Sequence, residues 1–260
     1  MSISLSLQNR VALVTGGSRG IGAATVRLCT EAGANVVFNY QKSREQAKRL
    51  VQECGSQRCH AVACDLTGTE SAQTLVDAAV QRFGRLDILV VNHGVWPEQD
   101  VGIDQMSDAQ WRNTLSINLD SVFALAKHTV AQMKKQPRQG AAKGHIVLVS
   151  STSGQRGEAF HVDYSASKGA LISMTKSLSS ELIRQGIYVN CVAPGWVDTD
   201  MSAGALADPK ISANVLGTIP MGRVGTPTEI AGPIVFLCTE LAGFISGEIF
   251  NVNGGAVLVG

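Results

Sequence analysis

Tyr164 and Lys168 stand four positions apart in a proline-free stretch, residues 164–183, rich in Ala, Ser, Leu and Lys. That composition predicts a helix, and the spacing stacks both side chains on one face, roughly 6 Å apart at the backbone. A phenol with a pKa near ~10 is a poor acid or base at neutral pH, but an ammonium one turn away favours the phenolate. The pair reads as a proton donor and the cation that tunes it. Ser151 precedes the tyrosine by thirteen residues and follows the apolar run His145-Ile-Val-Leu-Val-Ser150. Such a run predicts a buried parallel strand, which puts Ser151 at the strand end where ligands bind in open α/β sheets. On its own a Tyr-x-x-x-Lys pair is equally an ordinary exposed helix face, so its meaning depends on the elements around it.

Those elements begin with Val11-Ala-Leu-Val-Thr15, a strand-like run, followed by Gly16-Gly-Ser18-Arg19-Gly20-Ile21-Gly22 and then by helix-forming residues 23–32. Strand, glycine turn and helix in this order suit a dinucleotide phosphate. The glycines let the backbone turn and approach closely, and the helix start offers free N–H groups and partial positive charge. A second strand, residues 35–39, ends at Asn39 and Tyr40, which with Lys42 are expected cofactor contacts. A carboxylate there would bind the adenosine ribose hydroxyls of NAD and repel the extra phosphate of NADP. No acid occurs from Ala34 to Arg44, whereas Lys42, Ser43 and Arg44 follow closely. Arg19 adds a fork-shaped cation matched to a phosphate. The expected cofactor is NADP(H), although Lys42 and Arg44 would also serve as solvated residues of a helix start.

Helix 43–54, strand 61–64, helix 71–83 and strand 87–92 continue the alternation, which implies right-handed crossovers and a parallel sheet. Asp65 ends the third strand and could also cap the next helix. Ser107 and Gln110 give a capping-box signal for a long helix to about residue 135, with Asn118, a poor helix former, inside it. Strand 187–193, helix 227–238 and strand 247–253 complete the pattern. The expectation is an α/β fold in one domain over residues 1–260, a Rossmann-like doubly wound parallel sheet of about seven strands with helices on both faces. Residues 196–226 carry Gly204, Pro209, Gly217, Pro220 and Gly225. A long, glycine-punctuated segment beside a site suits a substrate lid, with Trp196, Met201 and Leu206 as lining candidates.

Thr15-Gly16-x-x-x-Gly20-x-Gly22, Asn92-x-Gly94, Asn118, Ser151, Tyr164-x-x-x-Lys168 and Pro194-Gly195 resemble, in order and spacing, the motifs of the short-chain dehydrogenases/reductases. The resemblance spans nearly the whole chain, and is greatest to the 3-oxoacyl-(acyl-carrier-protein) reductase group. It implies catalytic roles for Asn118, Ser151, Tyr164 and Lys168, with Tyr164 and Lys168 also contacting the cofactor, Lys168 at the ribose hydroxyls, and with Asn118 disrupting its helix so that its backbone holds a water near the lysine. It implies adenine contacts for Asp65 and Leu66, a sheet-stabilising role for Asn92, close ribose approach at Gly94, and nicotinamide and phosphate contacts from Val197 and Thr199 after Pro194-Gly195. A homotetramer is implied too. His93 departs from the alanine usual at its position and would crowd or hydrogen-bond near the cofactor. The implied reaction is hydride transfer between NADP(H) and a carbonyl or secondary alcohol, a 3-oxoacyl thioester first, with another ketone, a sugar or a steroid-like alcohol left open. A nucleotide-sensing protein without catalysis is the competing class; the intact Ser-Tyr-Lys set argues against it.

A formal net charge of +1 gives no electrostatic case for nucleic acid or an anionic membrane. Hydrophobic residues at 45% against 17% charged favour a large core, yet no apolar run nears the roughly 18 residues of a membrane helix. Met1 to Gln8 shows neither a basic start nor an apolar stretch, so no secretory signal is visible. The six cysteines form no Cys-x-x-Cys pair, which suggests reduced thiols in a cytoplasmic protein and no metal; Cys59 to Cys64 reads as a strand rather than a ligand cluster. Lys134 to Lys143 reads as a basic surface loop, with contact to an acidic carrier protein as the alternative.

Overall fold

The computed structural model describes residues 5–259, so Met1 to Ser4 of the Met1–Gln8 stretch lie outside it. Seven strands, β1 (Val11–Val14), β2 (Asn35–Tyr40), β3 (Cys59–Ala63), β4 (Ile88–Val91), β5 (Gly144–Val149), β6 (Ile187–Pro194) and β7 (Ile249–Val252), pair in parallel. Their order is β3-β2-β1-β4-β5-β6-β7. The chain starts mid-sheet, winds to one edge through β3, and returns to the other side of β1 with β4. Order therefore reverses between β1 and β4, which opens a crevice at their carboxyl ends.

β1, β4 and β5 are buried at every position, as continuous Val/Ile/Leu runs in a sheet covered on both faces must be. Side chains alternate between two cores. Ala12, Val14, Ile88 and Val90 pack with Val26 and Cys29 of α1 (Gly20–Glu31) and Ile234 of α10 (Pro227–Leu237). Leu13, Leu89, Ile146 and Leu148 pack on the other face with Leu75 and Val76 of α3 (Ser71–Phe83) and with Leu125 and Leu171. Register holds this sorting: Leu13 pairs with Val37 and with Leu89. Below the sheet, buried Asp87 accepts from the Val11 N–H at 2.9 Å and takes the forked Arg85 guanidinium at 2.6–3.0 Å, tying β1 to the β4 entry.

Element boundaries differ from the sequence expectation by a few residues. α2 is Arg44–Cys54, β3 starts at Cys59, and the helix with Tyr164 and Lys168, α7, is Val162–Leu182. The long helix after Ser107 is interrupted. α4 (Asp108–Leu115), begun by Ser107 accepting from the Gln110 N–H, leads into a π turn over Ser116–Asp120 before α5 (Ser121–Lys135). A wider turn inside a helix redirects side chains, and such turns are frequent at functional sites. One element was not foreseen: α6 (Thr152–Arg156), a short helix directly after β5. The 196–226 segment holds two short helices, α8 (Ala203–Ala207) and α9 (Pro209–Gly217), α9 opened by Asp208 accepting from the Lys210 and Ile211 N–H groups. No helix among the described residues is long and apolar enough to cross a membrane.

Candidate active site

A cleft of about 430 Å³ crosses the carboxyl ends of β1, β2, β4, β5 and β6. Its floor at the β1 end is the glycine turn. Gly16 adopts φ +62° and Gly20 φ +53°, left-handed conformations that glycine takes without strain. The turn is braced from below. Asn39 accepts from the Gly16 N–H at 2.8 Å and donates to the Cys64 carbonyl at 3.0 Å, and Asn92 donates to the Thr15 and Gly16 carbonyls at 3.2 and 3.3 Å. Both asparagines border the cleft, but their amides are committed to holding the turn. Gly22, expected among the cofactor contacts, lies beneath the turn instead of lining the cleft. A Cβ there would run into the Gly16 carbonyl oxygen, so its role is close packing. The side chain of Arg19, the N-cap of α1, makes no capping hydrogen bond, which leaves first-turn N–H groups for an anion.

The remaining expected contacts, Ser18, Arg19, Ile21, Tyr40, Lys42, Leu66, Gly94, Pro194, Gly195, Val197 and Thr199, all line the cleft. Arg44 does not. Lys42 has no ion-pair partner among the described residues, whereas Arg19 pairs with Asp200 across the cleft at 3.1 Å, both side chains exposed. Asp65 also lines the cleft. Its carboxylate accepts from the Thr67 hydroxyl at 2.7 Å and the Thr67 N–H at 2.9 Å, and these bonds lower its pKa. It does not cap α3, whose N-cap is Glu70.

At the β5 end, Ser151 caps α6, its hydroxyl accepting from the Ser153 N–H at 3.1 Å. Tyr164 and Lys168 are 9% and 4% exposed, and the ammonium nitrogen lies 5.7 Å from the phenol ring centroid. Lys168 Nζ donates to the Val149 carbonyl at 2.9 Å, and its own carbonyl accepts from Ser150 Oγ at 2.8 Å, which locks helix to strand. The expected lowering of the tyrosine pKa by this lysine does not occur in the chain itself. Burial pushes Tyr164 up to about 12, with Glu158 adding to the rise and the Ser151 hydroxyl opposing it. Burial likewise pushes Lys168 down to about 8. Removing each group from water disfavours its charged form, and that desolvation is the leading effect on both.

Asn118 sits in the π turn, buried, outside the cleft wall. Its side chain accepts from the Val95 N–H at 2.8 Å and donates to the Val95 carbonyl at 2.9 Å and to Ser167 Oγ at 3.1 Å. The amide thus straps the segment after β4 to α7. Gly94 passes between these groups: a Cβ would come within 3.2 Å of Asn118 Oδ1 and 3.4 Å of Lys168 Nζ. His93 is half-buried with Nδ1 2.8 Å from Thr15 Oγ1 and Nε2 2.7 Å from Ser121 Oγ. Ser121 already donates to the Ile117 carbonyl, so its oxygen accepts from Nε2–H and Nδ1 is left to accept from Thr15. Burial, helped by Lys168, pushes this imidazole down to about 3. The neutral ring is a brace between the ends of β1 and β4 and the start of α5.

The substrate end was the least legible part. Trp196 and Met201 line it as expected; Leu206 does not. Trp96, in the loop after β4, meets Trp196 edge to face with centroids 5.9 Å apart and planes at 82°. Arg156 and Glu158 also line this end. Residue type was their only signal in the sequence, since the β4–α4 loop and the loop after β6 meet only in the folded chain.

A doubly wound parallel sheet with a glycine turn at its switch point, and Ser, Tyr and Lys together at the strand ends, defines an oxidoreductase on a dinucleotide-binding scaffold. The profile of the family described as "Enoyl-(Acyl carrier protein) reductase" matches residues 16–257. The chain belongs to the short-chain dehydrogenase/reductase family. It is 36% identical over 256 residues to the 3-oxoacyl-[acyl-carrier-protein] reductase of Aquifex aeolicus (strain VF5), covering 97% of this chain and 99% of that one. It is 38% identical over 251 residues to the cis-4-hydroxycyclohexanecarboxylate dehydrogenase of Sinomonas cyclohexanicum, covering 96% and 97%. A solved structure described as a putative 2-deoxy-D-gluconate 3-dehydrogenase from Agrobacterium tumefaciens with bound NADP superposes with a TM-score of 0.86. It is 30% identical, with 98% of this chain and 99% of that one covered.

Proposed function

We propose that the chain is an NADP(H)-dependent reductase of a carbonyl, reversibly a dehydrogenase of the secondary alcohol, and that a 3-oxoacyl thioester is its substrate. The observation that carries the reaction is the convergence of Ser151, Tyr164 and Lys168 in the same cleft as the glycine turn. The thioester is supported by the full-length likeness to 3-oxoacyl-[acyl-carrier-protein] reductases. NADP is supported by Lys42 at the end of β2, by the absence of an acid there, and by the NADP-bound neighbour. The cleft fits such a dinucleotide: the uncapped α1 start would take the pyrophosphate, Lys42 and Arg19 the extra phosphate, and Asp65 and Leu66 the adenine.

When bound, the reduced nicotinamide supplies a hydride to the carbonyl carbon. Tyr164 donates a proton to the carbonyl oxygen, and a phenol held up near 12 keeps that proton at neutral pH. Ser151 donates a hydrogen bond to the same oxygen, a contact that strengthens as negative charge develops. Lys168 holds positive charge beneath the site and stabilises the phenolate left after transfer. Asn118 keeps Val95 and α7 in register and, in the turn it disrupts, would link Lys168 to solvent through a water. Val197, Thr199 and Gly94 would contact the nicotinamide half, and residues 196–226 would close over the substrate.

A second reading, a secondary alcohol on a saturated ring, is favoured by the right-angled Trp96–Trp196 corner, whose flat faces suit the C–H face of a ring. Exposed Phe123 on α5 and Phe244 before β7 fit a homotetramer, and six unpaired thiols fit a cytoplasmic setting. A panel of 3-oxoacyl thioesters, cyclic ketones and sugars followed at the NADPH absorbance band tests the reading. Turnover of a 3-oxoacyl thioester is expected, and no oxidation of NADPH by any member would sink it. Fluorescence titration should show NADPH binding more tightly than NADH.

A further inference from the structure

His161, three residues before Tyr164, takes no part in the mechanism above, yet it is 3% exposed and its ring faces oxygen on both sides. Nε2 is 2.8 Å from the Pro97 carbonyl, and Nδ1 is 3.2 Å from the Ala159 carbonyl. Two carboxylates also approach Nδ1, Asp100 at 3.8 Å and Glu158 at 3.9 Å. No donor faces either nitrogen among the described residues. A neutral imidazole has one N–H, so it satisfies one of these carbonyls and turns a lone pair on the other; an imidazolium donates to both. The ring stacks on Trp96, centroids 5.1 Å apart and planes within 13°. Trp96 is held at its other neighbour too, because Asn118 grips both backbone groups of Val95.

The chain is bent to reach this arrangement. Phe160 adopts φ +66°, a left-handed conformation costly for a bulky residue, and its ring is left 57% exposed. Its carbonyl accepts from the Val101 N–H at 3.2 Å, which sets His161 beneath the 96–101 loop. Strain of this kind persists where the surroundings over-determine it. What the bend achieves is the placement of His161 under Trp96 and against Pro97.

We propose that His161 is a positioning residue that fixes Trp96 as a wall of the substrate end, through its ring stack on Trp96 and its hydrogen bond to the Pro97 carbonyl. The functional consequence rests on the reading of the cleft as a carbonyl-reducing site; the placement of Trp96 does not.

Substitution tests this. In a Trp111→Phe, Trp196→Phe background, Trp96 is the sole indole, and adding His161→Ala should raise its quenching by acrylamide as the indole loses its stacked neighbour. Adding His161→Phe instead keeps an aromatic stack and should leave that quenching near the background level. In the otherwise native chain, His161→Phe should raise KM for the carbonyl substrate about tenfold, as the hydrogen bond to the Pro97 carbonyl is lost. kcat and NADPH titration should stay as in the parent. Acrylamide quenching of Trp96 that is unchanged by His161→Ala overturns the proposal, as does an unchanged KM in His161→Phe. If Trp96 responds to His161 in this way but no carbonyl is reduced, the positioning role stands and the reductase reading falls.

Discussion

Replacing Lys168 by methionine should stabilise the folded chain at neutral pH while abolishing its activity. The ammonium is almost wholly buried and has one recorded hydrogen-bond partner, the Val149 carbonyl. Its pKa falls from 10.5 to about 8, and at ~1.4 kcal/mol per pH unit that drop is a cost to the folded state of about 3 kcal/mol. Loss of the bond to Val149 takes back about 1 kcal/mol, leaving a gain of about 2 kcal/mol. The sign follows from linkage. The unfolded lysine keeps its proton up to 10.5, while the folded one releases it near 8. Between these values the unfolded state binds more protons, so parent stability rises with pH there and the penalty is full below 8. Urea unfolding of parent and Lys168→Met without cofactor, at pH 7 and at steps up to pH 10, reads the difference directly. The variant should lead at pH 7 and its lead should shrink above pH 8. A variant less stable than the parent at pH 7, or a gap constant with pH, would refute the claim that desolvation dominates at this site.

Other substitutions separate chemistry from support. Tyr164→Phe should lower kcat by ~10²–10⁴ while NADPH still binds as in the parent, measured by steady-state kinetics and fluorescence titration. Asn118→Ala removes two bonds to Val95 and one to Ser167, and should cost about 2–3 kcal/mol in urea unfolding and lower kcat as the cleft wall loosens. Gly22→Ala forces a Cβ against the Gly16 carbonyl and Asn92 Nδ2, so overpacking of about 1–3 kcal/mol should appear together with weaker NADPH binding.

Local signals went a long way here. The glycine turn lay between a strand and a helix, Ser151 ended an apolar run, and Tyr164 and Lys168 shared a helix face; each is a property of a short segment, set by backbone sterics and side-chain period. Alternating strand and helix patterns implied a parallel sheet, and β1, β4 and β5 are the buried apolar runs such a sheet requires. The Asn118 propensity clash marked the place where α4 and α5 are parted by a π turn.

What residue order could not convey is which distant segments share a desolvated space. The pKa values of Tyr164 and Lys168 depend on how completely β5, α6 and α7 exclude water, and that exclusion reverses the tuning inferred from their spacing. Gly22 and Asn39 carry the marks of cofactor contacts in the sequence, yet one packs under the turn and the other braces it, because Gly16 and Cys64 come to them only after folding. Trp96, His161 and Trp196 lie on three separate loops, and their stacking arises only when β4, β5 and β6 are aligned side by side. The amino-acid sequence by itself determined the reactive groups and the elements that bear them. Tertiary packing decided their charge states and the substrate wall, since both arise from burial between segments that no local period connects.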